Sequence, residues 1–100
     1  MKEEIEKIKI KKMVGDNLAF RSSANDIFNY IENNFKKKVY LDFKGVISIS
    51  NAFARQYELR KLFSIVPVKE INTNKNIKKM FISAKKGLPS RKEMAFPKIS

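Results

Sequence analysis

The chain has 100 residues, enough for one domain with a single modest core. It contains no cysteine, which excludes disulfides and thiolate chemistry, and no histidine, which is the commonest general base and metal ligand. We therefore expect no catalysis, metal or cofactor. The formal net charge of +12 predicts attraction to anionic partners, although lysines that merely cover solvent-exposed faces are the alternative explanation.

The first twelve residues, MKEEIEKIKIKK, are charged throughout and lack the apolar segment of a signal peptide. No stretch approaches the roughly 18 apolar residues that a membrane-spanning helix needs. We therefore expect a soluble, cytoplasmic protein with no membrane partner.

Residues 5–14 contain the alternation Ile8-Lys9-Ile10-Lys11, with one apolar face and one lysine face, which predicts a half-exposed strand near a sheet edge. A turn at residues 15–17 and a short apolar run at residues 18–20 predict a second strand, so that the two strands form an N-terminal hairpin. Ser22 or Ser23 is expected to cap the first helix. The core-facing positions of that helix recur at helical spacing: Ala24, Ile27, Phe28, Ile31 and Phe35.

The apolar run at residues 39–41 ends at Asp42 and predicts a buried strand in the centre of a parallel sheet. We expect the Asp42 carboxylate to accept hydrogen bonds from the turn that follows, rather than to act as an acid, a metal ligand or a partner contact. Gly45 is expected to supply a positive φ in that turn. Ser50 or Asn51 should cap a second helix over residues 52–63. The loop lies at the carboxyl end of a central strand, where open α/β sheets usually place functional residues.

Residues 64–71 are predicted to be a further strand, which Pro67 confines to an edge or a bulge. Strand, helix and strand in this order predict a parallel crossover. A third helix over residues 75–86 follows a polar loop and cap at residues 72–74, and Gly87 is expected to end it in a left-handed conformation. We divide the chain into one domain, residues 1–87, and a basic, proline-containing tail, residues 88–100.

Four segments carry a resemblance when taken in chain order: Arg21-Ser22 before the first helix, LDFKGV at 41–46, ISNAFA at 49–54 and INTNKNIKKM at 71–80. Together they resemble the STAS-like domains of unknown function, which are small relatives of the sulfate-transporter and anti-sigma-factor-antagonist domain. The resemblance spans residues 5–86. It implies an α/β fold, with a mixed sheet of about four strands and about three helices mainly on one side, that serves as a regulatory protein-interaction module.

In classical members of the anti-sigma-factor-antagonist family, an ATP-binding, kinase-type partner phosphorylates a serine at the start of the helix after the central strand. The resemblance therefore implies a kinase-like or anti-sigma-like protein partner. The phosphorylated position falls on Ala52, or on Asn51, and neither carries a hydroxyl group. Ser48 and Ser50 lie in the same loop and leave a shifted version of the switch open, the alternative being that Ser50 is a cap and Ser48 a solvated residue.

We expect the partner to bind the loop and the helix that follow the central strand. The candidate partner-binding residues are Ser48, Ser50, Asn51, Arg55 and, from the start of the first helix, Arg21. Solvated arginines are the alternative. Phe53 and Tyr57, one helical turn apart, are expected to lie in the core.

The alternative function is a small basic nucleic-acid-binding protein that uses the third helix and the tail. Its candidate polyanion patch consists of Lys75, Lys78, Lys79, Lys85, Lys86, Arg91 and Lys92. Aromatic side chains interleaved with the charges, which single-strand binders use to stack bases, are absent from that patch. A homodimer is left open, because the predicted strand edges are exposed.

Overall fold

The computed structural model describes residues 6–88, in which strands and helices alternate along the chain. The elements are β1 (Glu6–Lys9), α1 (Ile10–Met13), β2 (Asn17–Leu18), α2 (Arg21–Asn34), β3 (Val39–Asp42), β4 (Ser48–Ile49), α3 (Asn51–Phe63), β5 (Val68–Ile71) and α4 (Lys75–Lys86). The predicted α/β class is confirmed, and α4 has the predicted bounds. None of the helices within residues 6–88 is long and apolar enough to cross a membrane. The predicted tail lies outside the described residues, apart from Leu88.

The strands form a three-stranded sheet in the order β1-β3-β5 and a separate two-stranded ribbon of β2 and β4. β3 is central, as predicted, and β1 lies at an edge. β5 is the other edge strand and pairs in parallel with β3, which confirms the parallel crossover. Pro67 stands just before β5, where its missing N–H interrupts no pairing.

The predicted N-terminal hairpin is wrong. β1 pairs in parallel with β3 and β2 pairs in parallel with β4, so the antiparallel pairing of a mixed sheet is not found within residues 6–88. The alternation of apolar residues and lysines continues past Lys9, but the chain there turns into α1, where Val14 N–H donates to the Ile10 carbonyl (2.8 Å). This helical turn buries Ile10 completely, and it separates β1 from β2, which then belong to different sheets and do not pair with each other.

The two faces of the three-stranded sheet differ in chemistry. One face is buried under the helices and carries Ile8, Val39 and Leu41. The register places Lys7, Tyr40 and Lys69 in one row on the other face, with Lys9 and Asp42 in the next row. We call this second face the open face, because no helix of residues 6–88 covers it and its lysines are exposed. The helices therefore lie on one side of the sheet, as predicted.

Tyr57 lies at the centre of the core. It is fully buried, and its ring centroid lies between 4.7 and 6.1 Å from those of four phenylalanines: Phe28, Phe43, Phe53 and Phe81. Its hydroxyl group donates to Glu70 Oε2 at 2.6 Å. The prediction that Tyr57 and Phe53 belong to the core is confirmed, as is the stripe of α2, in which Phe35 alone is only partly buried.

Two helix caps follow the prediction and two helix ends do not. Ser50 caps α3 by accepting from Phe53 N–H, and Asn74 caps α4 by accepting from Ile77 N–H. The predicted serine cap of α2 is wrong, because β2 carries the chain straight into a helix whose N-cap, Phe20, has no side-chain cap bond. Gly87 ends α4 with φ −89°, so the predicted left-handed stop is also wrong.

Residues 64–67 are not a strand, contrary to the prediction. Ser64 turns the chain there, since its Oγ accepts from Val66 N–H (3.1 Å) and donates to the Val66 carbonyl (2.8 Å). This local bonding competes with sheet pairing, and only Val68–Ile71 joins the sheet.

We expect Gly45→Ala to lower the free energy of unfolding by about 1–2 kcal/mol. Gly45 has φ +84°, and a Cβ there would meet Lys11 Cδ at 2.8 Å. Gly87→Ala is the matched control: its φ is ordinary, so its stability should stay the same or rise slightly. Urea unfolding of both variants measures the difference, and equal stabilities would contradict a conformational requirement at Gly45.

Candidate functional site

Asp42 joins the carboxyl ends of β3 and β5. It is 5% exposed, and its Oδ1 accepts from Asn72 Nδ2 and from Lys44 N–H, both at 2.9 Å. Asn72 adopts φ +58°, which asparagine tolerates better than most residues. The hydrogen bond from Asn72, then that from Lys44 N–H, lower the pKa of the Asp42 carboxyl group against the opposing effect of burial, and the charges of Lys7 and Lys9 add to this. Asp42 is therefore an ionised carboxylate with a structural contact to each neighbouring loop.

A groove of about 660 Å³ lies beside Asp42 at the carboxyl end of the sheet. It is lined by five lysines together with Asp42 and Asn72; the lysines are Lys7, Lys9, Lys11, Lys12 and Lys44. We call it the lysine groove. The ion pairs found within residues 6–88 are Arg60–Glu32 and Lys61–Glu70, so no described carboxylate pairs with a groove lysine. The groove therefore holds a net positive charge.

Sequence reasoning placed Asp42 and Gly45 at this end of the sheet but missed the lysine groove. The available signal was the presence of a lysine at every second position, Lys7, Lys9 and Lys11. We assigned these lysines to the exposed face of an edge strand. β1 is indeed at an edge, but its pairing with β3 brings those lysines next to Asp42. Lys11 reaches the groove because α1 turns its side chain toward Gly45.

The loop serines hold the β2–β4 ribbon together. Ser50 Oγ donates to the Ala19 carbonyl at 2.8 Å and also accepts from Phe53 N–H at 3.0 Å. Ser48 Oγ donates to Asn17 Oδ1 at 2.8 Å. Both hydroxyl groups therefore connect the loop before α3 to the segment before α2.

The predicted partner residues divide between two places. Arg21 and Asn51 are the first residues of α2 and α3, both exposed, and the ribbon sets these two helix starts side by side. Arg55 is exposed one turn further along α3. Its guanidinium group lies against Gly87, where an added Cβ would stand 3.3 Å from Arg55 Nη1. The structure thus brings Arg21, Ser48, Ser50 and Asn51 together and directs Arg55 toward the end of α4.

Two large apolar side chains beside the ribbon were not among the predicted site residues. Phe20, just after β2, is 69% exposed, and Ile47, just before β4, is 60% exposed. Ile47 N–H donates to the Asp16 carbonyl and Ser50 N–H to the Leu18 carbonyl, both at 2.8 Å. We call the area formed by Phe20, Arg21, Ile47, Ser48 and Asn51 the ribbon surface. Phe20 and Ile47 were missed because each belongs to a short apolar run, residues 18–20 and 46–47, and such a run predicts burial of all its side chains.

Glu58 is a buried acid that the sequence did not single out. It lies on α3, is 4% exposed, and its Oε2 has no hydrogen-bond partner within residues 6–88. Burial raises the pKa of its carboxyl group, and the charges of Lys85 and Lys61 oppose that rise. Glu58 belongs to neither the ribbon surface nor the lysine groove.

The alternative polyanion patch is only partly described. Its five α4 lysines are exposed, whereas Arg91 and Lys92 lie outside the described residues. No group of three or more metal-ligating side chains comes together in the part of the chain that the structure describes.

Comparison of the chain with protein-family models, with curated proteins and with solved structures finds no significant match in any of the three.

Proposed function

We propose that this chain is a non-enzymatic, cytoplasmic protein-interaction module of STAS-like type, whose partner protein docks on the ribbon surface. The supporting observation is the exposure of a large apolar side chain at each end of the ribbon: Phe20 next to the adjoining starts of α2 and α3, and Ile47 opposite Asp16 at the other end. The resemblance of segments 41–46 and 49–54 to STAS-like domains supports a kinase-like or anti-sigma-like partner. The ribbon surface contains the loop and the helix start that follow the central strand.

The partner's contact surface should be apolar at its centre and acidic at its rim. Complete burial of an aromatic or branched aliphatic side chain contributes about 1.5–3 kcal/mol, so Phe20 and Ile47 are the expected anchors. The Arg21 guanidinium group favours carboxylates, and so do the amino ends of α2 and α3, which carry partial positive charge. An acidic rim also suits a chain with a net charge of +12.

The proposal assigns no phosphorylation to Ser50. Its hydroxyl group is the donor to the Ala19 carbonyl, and a phosphate group there would lose that bond and face the carbonyl oxygen. Ser48 is exposed, and its hydroxyl group donates to the exposed side chain of Asn17 and not to the backbone, so it is the loop serine at which a kinase-type partner could act. A dianionic phosphate on Ser48, next to Asn17 on the ribbon surface, would change the charge that the partner meets.

The test compares two double variants with identical changes in composition, Phe20→Ser with Ile47→Ser and Phe63→Ser with Ile65→Ser. Phe63 and Ile65 are also exposed, at 45% and 84%, but belong to the end of α3 and the turn after it. Proteins captured from a nuclease-treated extract by the unaltered chain are identified, and the dissociation constant is then measured with the purified partner. We expect the Phe20/Ile47 variant to bind at least about tenfold more weakly, equal to about 1.4 kcal/mol, and the Phe63/Ile65 variant to bind normally.

Equal losses in both double variants, or a loss only at Phe63 and Ile65, would contradict the ribbon surface as the docking site. Capture that disappears on nuclease treatment would mean that nucleic acid bridges the proteins, which would also count against the proposal.

A further inference from the structure

The open face and the lysine groove form one continuous basic surface. Lys7 and Lys9 belong to both, since they project from β1 in register with Tyr40 and Asp42. Lys69 flanks Tyr40 from β5. At the amino end of β3, Lys38 Nζ lies 5.4 Å from the centroid of the Tyr40 ring. We call this surface the lysine track; it consists of Lys38, Lys69, Lys7, Lys9, Lys11, Lys12 and Lys44.

The length of the lysine track suits a chain of phosphates better than one phosphate. At about 3.3 Å per residue, the four residues of β3 span about 13 Å, and the groove continues beyond their carboxyl end. Lysines are flexible point charges that accept many backbone geometries. The sequence also lacks the glycine-rich loops that enclose the phosphates of a mononucleotide.

The open face is poorly suited to a protein partner. The large apolar side chains exposed within residues 6–88 are Met13, Phe20, Tyr30, Ile47, Phe63, Ile65 and Ile82, and none of them belongs to β1, β3 or β5. Protein interfaces depend on such anchors at their centre. The tail of the chain is no better an occupant, because residues 89–100 carry more basic than acidic side chains and the lysines would repel them.

Tyr40 adds a feature that charge alone would not supply. It is partly exposed in the middle of the track, and the Lys38 ammonium group over its ring marks a face that a π-system or a cation can approach. A positively charged channel combined with an aromatic platform is the arrangement by which proteins hold single-stranded nucleic acid.

We propose that the lysine track binds single-stranded nucleic acid, with the lysines contacting consecutive phosphates and Tyr40 stacking against one base. The incoming base displaces Lys38 from the ring, and the released ammonium group meets a neighbouring phosphate. Asp42 stays hydrogen-bonded to Asn72 and Lys44 N–H at the base of the groove, and its single negative charge is outweighed by the five lysines that line the groove. The surface differs from the α4 patch and from the ribbon surface.

The first experiment measures binding of fluorescent 12-nucleotide oligo-U and oligo-dT by anisotropy at several salt concentrations. Two double variants, each losing two positive charges, are compared: Lys7→Gln with Lys9→Gln on the track, and Lys78→Gln with Lys79→Gln on α4. Each phosphate contact in a single strand contributes about 0.7 to the slope of log affinity against log salt. We therefore expect the track variant to make that negative slope shallower by about 1.4, and the α4 variant to leave it unchanged.

The second experiment separates stacking from charge. We expect Tyr40→Leu to weaken oligonucleotide binding about tenfold, since one base stack is lost, without changing the salt slope. A duplex of the same length should bind more weakly than the single strand. Thermal melting of each variant verifies that the fold is intact.

Equal losses in the two lysine variants, or a larger loss on α4, would overturn the proposal, as would a Tyr40→Leu variant that binds normally. Competition by inorganic pyrophosphate beyond the effect of its ionic strength would assign the groove to a small phosphate ligand instead. The Phe20/Ile47 variant should bind oligonucleotides normally, so this proposal and the protein-docking proposal can fail independently.

Discussion

Replacing Tyr57 by alanine is expected to destabilise the domain by about 3–5 kcal/mol, a large share of the roughly 5–15 kcal/mol that holds a typical domain together. The ring is fully buried among four phenylalanines, and α2, α3, α4 and the turn after β3 all pack against it. Its loss leaves a cavity that elements on several sides would have to move to fill. Urea unfolding followed by circular dichroism measures the change.

Tyr57→Phe is the matched control. It keeps the ring and removes only the hydrogen bond from the hydroxyl group to Glu70 Oε2, which should lower the free energy of unfolding by about 1–2 kcal/mol. Glu70 keeps its ion pair with Lys61 at 3.0 Å, so its charge is not left without a partner. If Tyr57→Ala cost no more than Tyr57→Phe, the aromatic cluster would not be the centre of the core.

The second large effect is expected at Asp42. Asp42→Ala removes the shared acceptor of Lys44 N–H and Asn72 Nδ2, and it removes the negative charge nearest to Lys7 and Lys9. A hydrogen bond to a charged acceptor contributes about 1.5–3 kcal/mol; because Lys44 and Asn72 are exposed residues, water partly replaces the lost acceptor, and we expect a loss of about 2–4 kcal/mol. Asp42→Asn keeps an acceptor oxygen and should lose less. Equal losses in the two variants would mean that charge, and not hydrogen bonding, is the main contribution.

The same carboxylate gives the stability of the protein a dependence on acid. Because the pKa of Asp42 is lowered in the folded chain, the unfolded state binds the proton more readily. The stabilisation is complete above the unfolded pKa, near 3.8, and is lost as the pH falls through the folded pKa. Urea unfolding between about pH 2 and pH 6 should show this acid loss, and Asp42→Asn should remove the part that Asp42 contributes.

The features predicted correctly are those whose signal is local in the sequence. The apolar spacing of Ala24, Ile27, Phe28 and Ile31 identified the core side of α2, and the polar residue before each of α3 and α4 identified their caps. The run ending at Asp42 identified the central strand. Helical periodicity and capping depend on residues within one or two turns of each other, so one sequence is enough to recognise them.

The features that were missed depend on which strand lies beside which. Nothing in residues 6–18 specifies a parallel partner at residues 39–49, and a hairpin was the shorter connection. The lysine groove exists only because that pairing brings Lys9 beside Asp42. The exposure of Phe20 and Ile47 likewise follows from the ribbon, whose two short strands leave both side chains at its ends.

The all-parallel pairing of the described strands has a consequence for folding on the ribosome. Glu6 pairs with Val39 and Val39 with Val68, so β1 has no partner until β3 has been made, and the sheet is incomplete until β5 follows. A fold with such high contact order should form more slowly than a helical bundle of the same length. During synthesis, the positive charge of the β1 lysines should therefore reduce aggregation, because it discourages the unpaired edge of β1 from pairing with a strand of another nascent chain.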